Sequence, residues 1–157
     1  MIIVINLPDE AATTGFAAQL AASAQGGDVI ALKGDLGAGK TTLARAFIRA
    51  RGAAGEVPSP TFTLVQTYES VDAAIWHFDL YRLNAPEEAW ELGIEEAFAL
   101  GIALIEWPER LGPLLPPRRL EITLEYVDEP GARRAVVDAG AEWRARLAEI
   151  AADACAG

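Results

Sequence analysis

Gly34-Asp35-Leu36-Gly37-Ala38-Gly39-Lys40-Thr41 decides how this chain is read. The stretch fits G-x-x-x-x-G-K-[ST], the phosphate-binding P-loop. Upstream, Val29-Ile30-Ala31-Leu32 has the look of a buried strand, and downstream Thr42 to Arg49 has helical composition. A strand, a glycine-rich turn and a helix are the context the motif requires. Glycines open backbone conformations closed to other residues and let amides approach an oxyanion closely. The helix N-terminus adds unpaired N–H groups and a partial positive charge. The nucleotide-binding set is therefore Asp35, Leu36, Gly37, Ala38, Gly39, Lys40, Thr41 and Thr42. Lys40 is expected to reach the β- and γ-phosphates, and the Thr41 hydroxyl to ligate Mg²⁺.

Outward from this loop, the apolar run Ile102-Ala103-Leu104-Ile105 ends in Glu106. Such a run marks a strand buried on both faces, as in a parallel sheet. Ligands collect at the carboxyl ends of parallel strands, and P-loop NTPases hold Mg²⁺ with an acid placed there. Glu106 is expected, with Thr41, on the metal side. Asp79 closes a second strand predicted over 73–78. It is expected to bind the metal's hydration shell, to orient the attacking water or to cap the following turn, and the residues leave open an exchange of roles with Glu106. Trp107 either covers the nucleotide or plugs the end of the sheet. His77 reads as a packed histidine and Arg82 as a structural salt bridge. Ser59, Thr61 and Thr63 fall in the connection after the P-loop helix. In many NTPases this connection is a switch loop that senses the γ-phosphate.

The remaining pattern fills in an α/β fold. Residues 2–6 read as a strand, and Pro8 opens a helix marked by Ala12, Phe16 and Leu20. Phe62 to Tyr68 is β-branched and aromatic and forms a hairpin with 73–78 around Glu69–Asp72. Residues 86–92 and 94–100 read as short helices broken at Gly93. Leu120, Ile122, Leu124 and Tyr126 alternate with polar neighbours, as in a half-exposed antiparallel strand. A turn over 128–131 returns the chain into 134–137, and a last helix carries Trp143, Leu147 and Ile150. The expectation is one P-loop NTPase-like domain over 1–157: a mixed sheet with parallel centre and antiparallel margins, flanked by helices.

The formal net charge is −10. Nucleic-acid affinity comes mostly from neutralising phosphates, so tight direct binding to RNA is not expected. Arg118-Arg119 and Arg133-Arg134 read as solvated surface pairs. With one cysteine, Cys155, and one histidine, neither an intrachain disulfide nor a Cys/His zinc cluster can form. The absence of a basic leader and of a long apolar run predicts a cytoplasmic protein without membrane association. Only Asn6 and Asn84 are present and neither starts an Asn-Lys-x-Asp guanine-reading motif, which favours ATP over GTP.

The P-loop, Ser59-Pro60-Thr61-Phe62-Thr63-Leu64, His77-Phe78-Asp79-Leu80-Tyr81-Arg82 and Ile105-Glu106-Trp107-Pro108-Glu109 occur here in order. Together they resemble the TsaE family, also called YjeE, over residues 8 to 110. The resemblance implies a bacterial Mg²⁺-dependent ATPase, slow alone, needed for threonylcarbamoyladenosine at position 37 of tRNA. It implies TsaD and TsaB as protein partners. The family's motif residues fall on Lys40, Thr41, Asp79, and Glu106 with Trp107. A small-molecule P-loop kinase is the alternative, with Arg118, Arg119, Arg133 and Arg134 as candidates for an arginine-bearing lid.

Overall fold

The computed structural model describes residues 2–53, 57–60 and 62–156, so Thr61 and the Gly55–Glu56 part of the preceding loop lie outside the described residues, as does the Cys155 side chain. The strands are β1 (Ile2–Leu7), β2 (Val29–Gly34), β3 (Val65–Tyr68), β4 (Ile75–Asp79), β5 (Ile102–Glu106), β6 (Leu120–Tyr126) and β7 (Arg133–Ala139). The helices are α1 (Glu10–Ser23), α2 (Lys40–Ala50), α3 (Ile94–Leu100) and α4 (Ala141–Ala156), with 3-10 segments over Pro86–Leu92 and Pro108–Leu114. The strands form one sheet in the order β1-β7-β6-β2-β5-β4-β3. Neighbours from β6 through β2 and β5 to β4 run parallel, while β1, β7 and β3 pair antiparallel.

Two apolar layers sandwich the sheet. On one face, Phe16 and Leu20 of α1, Leu43 and Phe47 of α2, and Trp143 and Leu147 of α4 cover Ile30, Leu32, Leu104 and Ile122. On the other, Leu80, Leu83, Ala89, Ile94 and Leu111 cover Phe78, Ala103 and Ile105. This second layer reaches over β4, β5 and the start of β2. All five residues of β5 are buried. That follows from covering on both faces and explains the unbroken apolar run.

Four details differ from the sequence reading. Helix α1 starts at Glu10, because the Asp9 carboxylate accepts from the Ala12 N–H at 2.8 Å and caps the first turn. The 86–92 segment winds as a 3-10 helix, and Gly93 (φ 81°) separates it from α3. Strand β6 is antiparallel only toward β7; on its other side it runs parallel to β2. Strand β3 begins at Val65 and not at Phe62. Leu64 lies in the left-handed region (φ 68°), donating its N–H to the Pro60 carbonyl at 2.7 Å. A turn there breaks the extended chain, and Phe62 is left 82% exposed. Among the described residues, no helix is long and apolar enough to cross a membrane.

Candidate nucleotide site

Strand β2 delivers the chain into the P-loop, and α2 begins at Lys40. Gly34 has φ 141°, and a Cβ there would stand 2.6 Å from the Leu124 carbonyl oxygen of β6. Only glycine suits both constraints. At Gly37 a Cβ would meet the Tyr126 hydroxyl at 2.9 Å. That hydroxyl donates to the Leu36 carbonyl at 3.1 Å, and Arg133 donates from Nε to the Ala38 carbonyl at 3.0 Å. The Arg133 guanidinium also lies 4.4 Å from the centre of the Tyr126 ring. The β6–β7 end of the sheet thus grips the loop's carbonyls from behind. Arg133→Ala is expected to weaken nucleotide binding about fivefold, the loss of about 1 kcal/mol of loop preorganisation. Calorimetric titration checks this, and unaltered affinity would show that the loop holds its own shape.

Lys40 is buried, and its Nζ donates to the carbonyls of Gly34 at 2.6 Å and Asp35 at 3.0 Å. Its ammonium also sits 4.1 Å from the centre of the Trp107 ring. Burial lowers the Lys40 pKa, against the opposing pull of Glu106, Glu109, Asp79 and Asp35. The lysine is thus the focus of four surrounding carboxylates.

Thr41, next on α2, donates its hydroxyl to Glu106 Oε1 at 2.8 Å across 65 residues of sequence. The other carboxylate oxygen, Oε2, is 2.7 Å from His77 Nε2. Asp79 is the register partner of Glu106 in the parallel β4–β5 pair and accepts from the Tyr81 N–H at 3.2 Å. Both acids are buried. The two non-glycine residues with positive φ in the described chain, Leu64 and Trp107, both border these acids. The Leu64 carbonyl accepts from the Asp79 N–H at 3.0 Å, and Trp107 follows Glu106 directly. Such conformations are costly and persist where the surroundings impose them.

A cleft of about 220 Å³ collects Leu36, Gly37, Gly39, Lys40, Thr41, Thr42, Asp79, Glu106 and Trp107. Of the expected set, Asp35 and Ala38 stay in the loop but outside the cleft lining. Trp107 packs against Tyr81 with ring centres 5.0 Å apart, and both line the cleft. Ser59 and Thr63 do not line it; the Thr63 hydroxyl accepts from Gln66 Nε2 at 3.2 Å. Arg82 corrects the expected salt bridge. It lies 4.8 Å over the Phe62 ring and makes no ion pair among the described residues. Arg118, Arg119 and Arg134 are in ion pairs with Glu142, Glu121 and Glu125, whereas Arg133 belongs to the P-loop brace. Tyr81 and Tyr126 carry no site role in the sequence reading, and Arg133 appears there only as a surface or lid arginine and not as a brace of the P-loop. No short-range signal marks the last two, since their partners lie about ninety residues away.

The sequence model of the family described as "Threonylcarbamoyl adenosine biosynthesis protein TsaE" matches residues 7–136. The chain belongs to the TsaE family. A curated relative from Rickettsia felis, named tRNA threonylcarbamoyladenosine biosynthesis protein TsaE, is 46% identical over 129 residues, 82% of this chain and 74% of its own. A relative of the same name from Bacillus subtilis is 40% identical over 119 residues, 75% of this chain and 73% of its own. The fold is similar to a crystal structure of Bacillus subtilis YdiB, with TM-score 0.82 and 28% identity, covering 98% of this chain and 96% of the other. The family match runs past residue 110 and takes in Tyr126 and Arg133, beyond the reach of the sequence resemblance.

Proposed function

We propose that this protein is a Mg²⁺-dependent ATPase serving threonylcarbamoyladenosine formation on tRNA, acting on a TsaB–TsaD assembly in the cytoplasm. The contact between the Thr41 hydroxyl and Glu106 carries the reading. It joins the P-loop helix to an acid at the end of a parallel strand, which is the pairing a phosphate-bound metal needs. Hydroxyl and carboxylate oxygens are hard donors of the kind Mg²⁺ prefers, so the residues fit the ion. Thr41 and Glu106 would hold it, directly or through water, and Mg²⁺ when bound would offset the charge on the phosphates.

The chain's own groups supply the rest. The P-loop amides and Lys40 bind and orient the phosphates, with Lys40 placed to offset charge on the leaving side. Asp79, fixed beside Glu106 by strand register, orients the attacking water. Trp107 and Tyr81 form an aromatic wall that limits water at one side of the cleft. ATP is preferred, since no guanine-reading motif is present. The kinase alternative loses support because Arg133 braces the P-loop from behind.

The family names support the pathway, and the charge of −10 argues that protein rather than tRNA is the direct partner. The test is phosphate release by the purified protein with and without Mg²⁺ and TsaB–TsaD, beside binding of that complex in ATP, ADP and no nucleotide. Stimulated hydrolysis and nucleotide-dependent association are expected, because a switch acts only through differential affinity for two states. Equal association in all three conditions, or tight salt-resistant binding to tRNA alone, would overturn the partner assignment.

A further inference from the structure

We infer that His77 is a positioning residue for the metal-side carboxylate: its Nε2–H holds Glu106 Oε2 from the buried side, so that Oε1 and the Thr41 hydroxyl stay aimed into the cleft. This rests on the proposed Mg²⁺–ATP reading of the site.

Three observations carry it. His77 is fully buried on β4, between Gln66 of β3 and Leu104 of β5, on the sheet face where Ile75 and Leu104 join the larger core. Apart from Glu106, packing alone would ask only for an apolar residue in such a place. Second, His77 Nδ1 is buried with no hydrogen-bond partner among the described residues. A ring chosen for packing or for a structural network would satisfy both nitrogens. Here one nitrogen goes unpaired while the other makes a 2.7 Å contact to Glu106. Third, the Glu106 carboxylate divides its oxygens: Thr41 takes Oε1 at 2.8 Å and His77 takes Oε2. A glutamate has several side-chain torsions, and gripping one oxygen removes that freedom before any ligand arrives. Hydrogen-bonded partners behind metal-binding groups act in this way, and losing one costs about tenfold to a hundredfold in metal affinity or activity. With a carboxylate opposite Nε2, the proton belongs on Nε2.

Calorimetric titration of ADP, with and without Mg²⁺, tests the role. His77→Leu is expected to require about tenfold to a hundredfold more Mg²⁺ for the metal-dependent part of ADP binding, with Mg²⁺-free ADP binding unchanged. His77→Gln, whose amide nitrogen can replace Nε2, should restore the Mg²⁺ requirement. In a Glu106→Gln background, His77→Leu should have no further effect, since the histidine acts through that glutamate. A leucine variant with the normal Mg²⁺ requirement, or a glutamine variant as impaired as the leucine one, overturns the inference. His77 is the only histidine, so NMR of its ring nitrogens in the unsubstituted protein gives a readout that needs no variant to fold. Nε2 should carry the proton and shift when Mg²⁺ is added to the ADP-bound protein; a bare Nε2, or signals indifferent to Mg²⁺, overturns the inference equally. Absence of any Mg²⁺-dependent nucleotide binding by the unsubstituted protein overturns the proposed function and this inference with it. Normal binding there, with a leucine variant that behaves identically, overturns only the role of His77.

Discussion

Lys40→Ala should weaken ATP binding by about two orders of magnitude or more while the nucleotide-free protein stays folded. The expected loss reflects two charge-assisted hydrogen bonds to phosphate, each worth about 1.5–3 kcal/mol. The fold should tolerate the change because the ammonium contributes little to the core. It is a buried cation whose hydrogen bonds go to the carbonyls of Gly34 and Asp35. Those carbonyls belong to a loop at the mouth of a cleft, where water replaces the lost donor. Lowering of the Lys40 pKa by burial gives a second handle. A depressed lysine pKa means that the folded chain holds this proton less tightly than the unfolded chain does. Its contribution to stability therefore improves as pH rises from the folded value toward 10.5. ATP binding, which needs the charged form, should fall over the same window. Titration calorimetry and thermal melts separate the two effects. A folded Lys40→Ala protein with normal ATP affinity would remove the P-loop assignment.

Glu106→Gln and Asp79→Asn should each cut hydrolysis about 10²–10³-fold, with a smaller effect on nucleotide binding. Both changes keep shape and remove charge, and the loss falls in the transition state because the groups position and stabilise there. The geometry also says why Glu106→Gln should fold. The amide oxygen can still accept from Thr41, while the amide nitrogen would face His77 Nε2. A shift of the imidazole proton to Nδ1, which has no partner to lose, turns Nε2 into an acceptor. For Asp79→Asn, the amide oxygen can keep the Tyr81 N–H. Single-turnover rates beside ADP affinities decide the matter. Hydrolysis within a few-fold of normal for either variant would take that acid out of the mechanism.

The parts of the site legible in sequence are those whose cause is local. The P-loop glycines answer to backbone torsion and close approach within eight residues, and the apolar run before Glu106 reports covering on both faces of β5. The alternation of β6 reports only which of its side chains are covered, so it could not show that β2 runs parallel on one side. The early end of β3 at Val65 depends on Leu64, whose left-handed turn aims its carbonyl at Asp79, a residue of the neighbouring strand. No propensity of leucine foretells that. His77 was legible only as a packed histidine. Its hold on Glu106 needed β4 and β5 to be laid side by side. The Tyr126 and Arg133 grip on the P-loop was illegible for the same reason at greater chain separation.

The pairing of Asp79 with Glu106 across β4 and β5 has a consequence for how this chain can vary. The gap between the two acids is set by the interstrand spacing of about 4.8 Å and not by loop lengths or side-chain reach. Lengthening the turn at 69–72 leaves that gap untouched. One residue gained between Ile75 and His77, however, would turn Phe78 toward the cleft and send both His77 and Asp79 off their face, because side chains alternate face by face. The sheet therefore acts as a ruler: substitutions can be absorbed one at a time along it, but an insertion in either strand erases the spacing at a stroke.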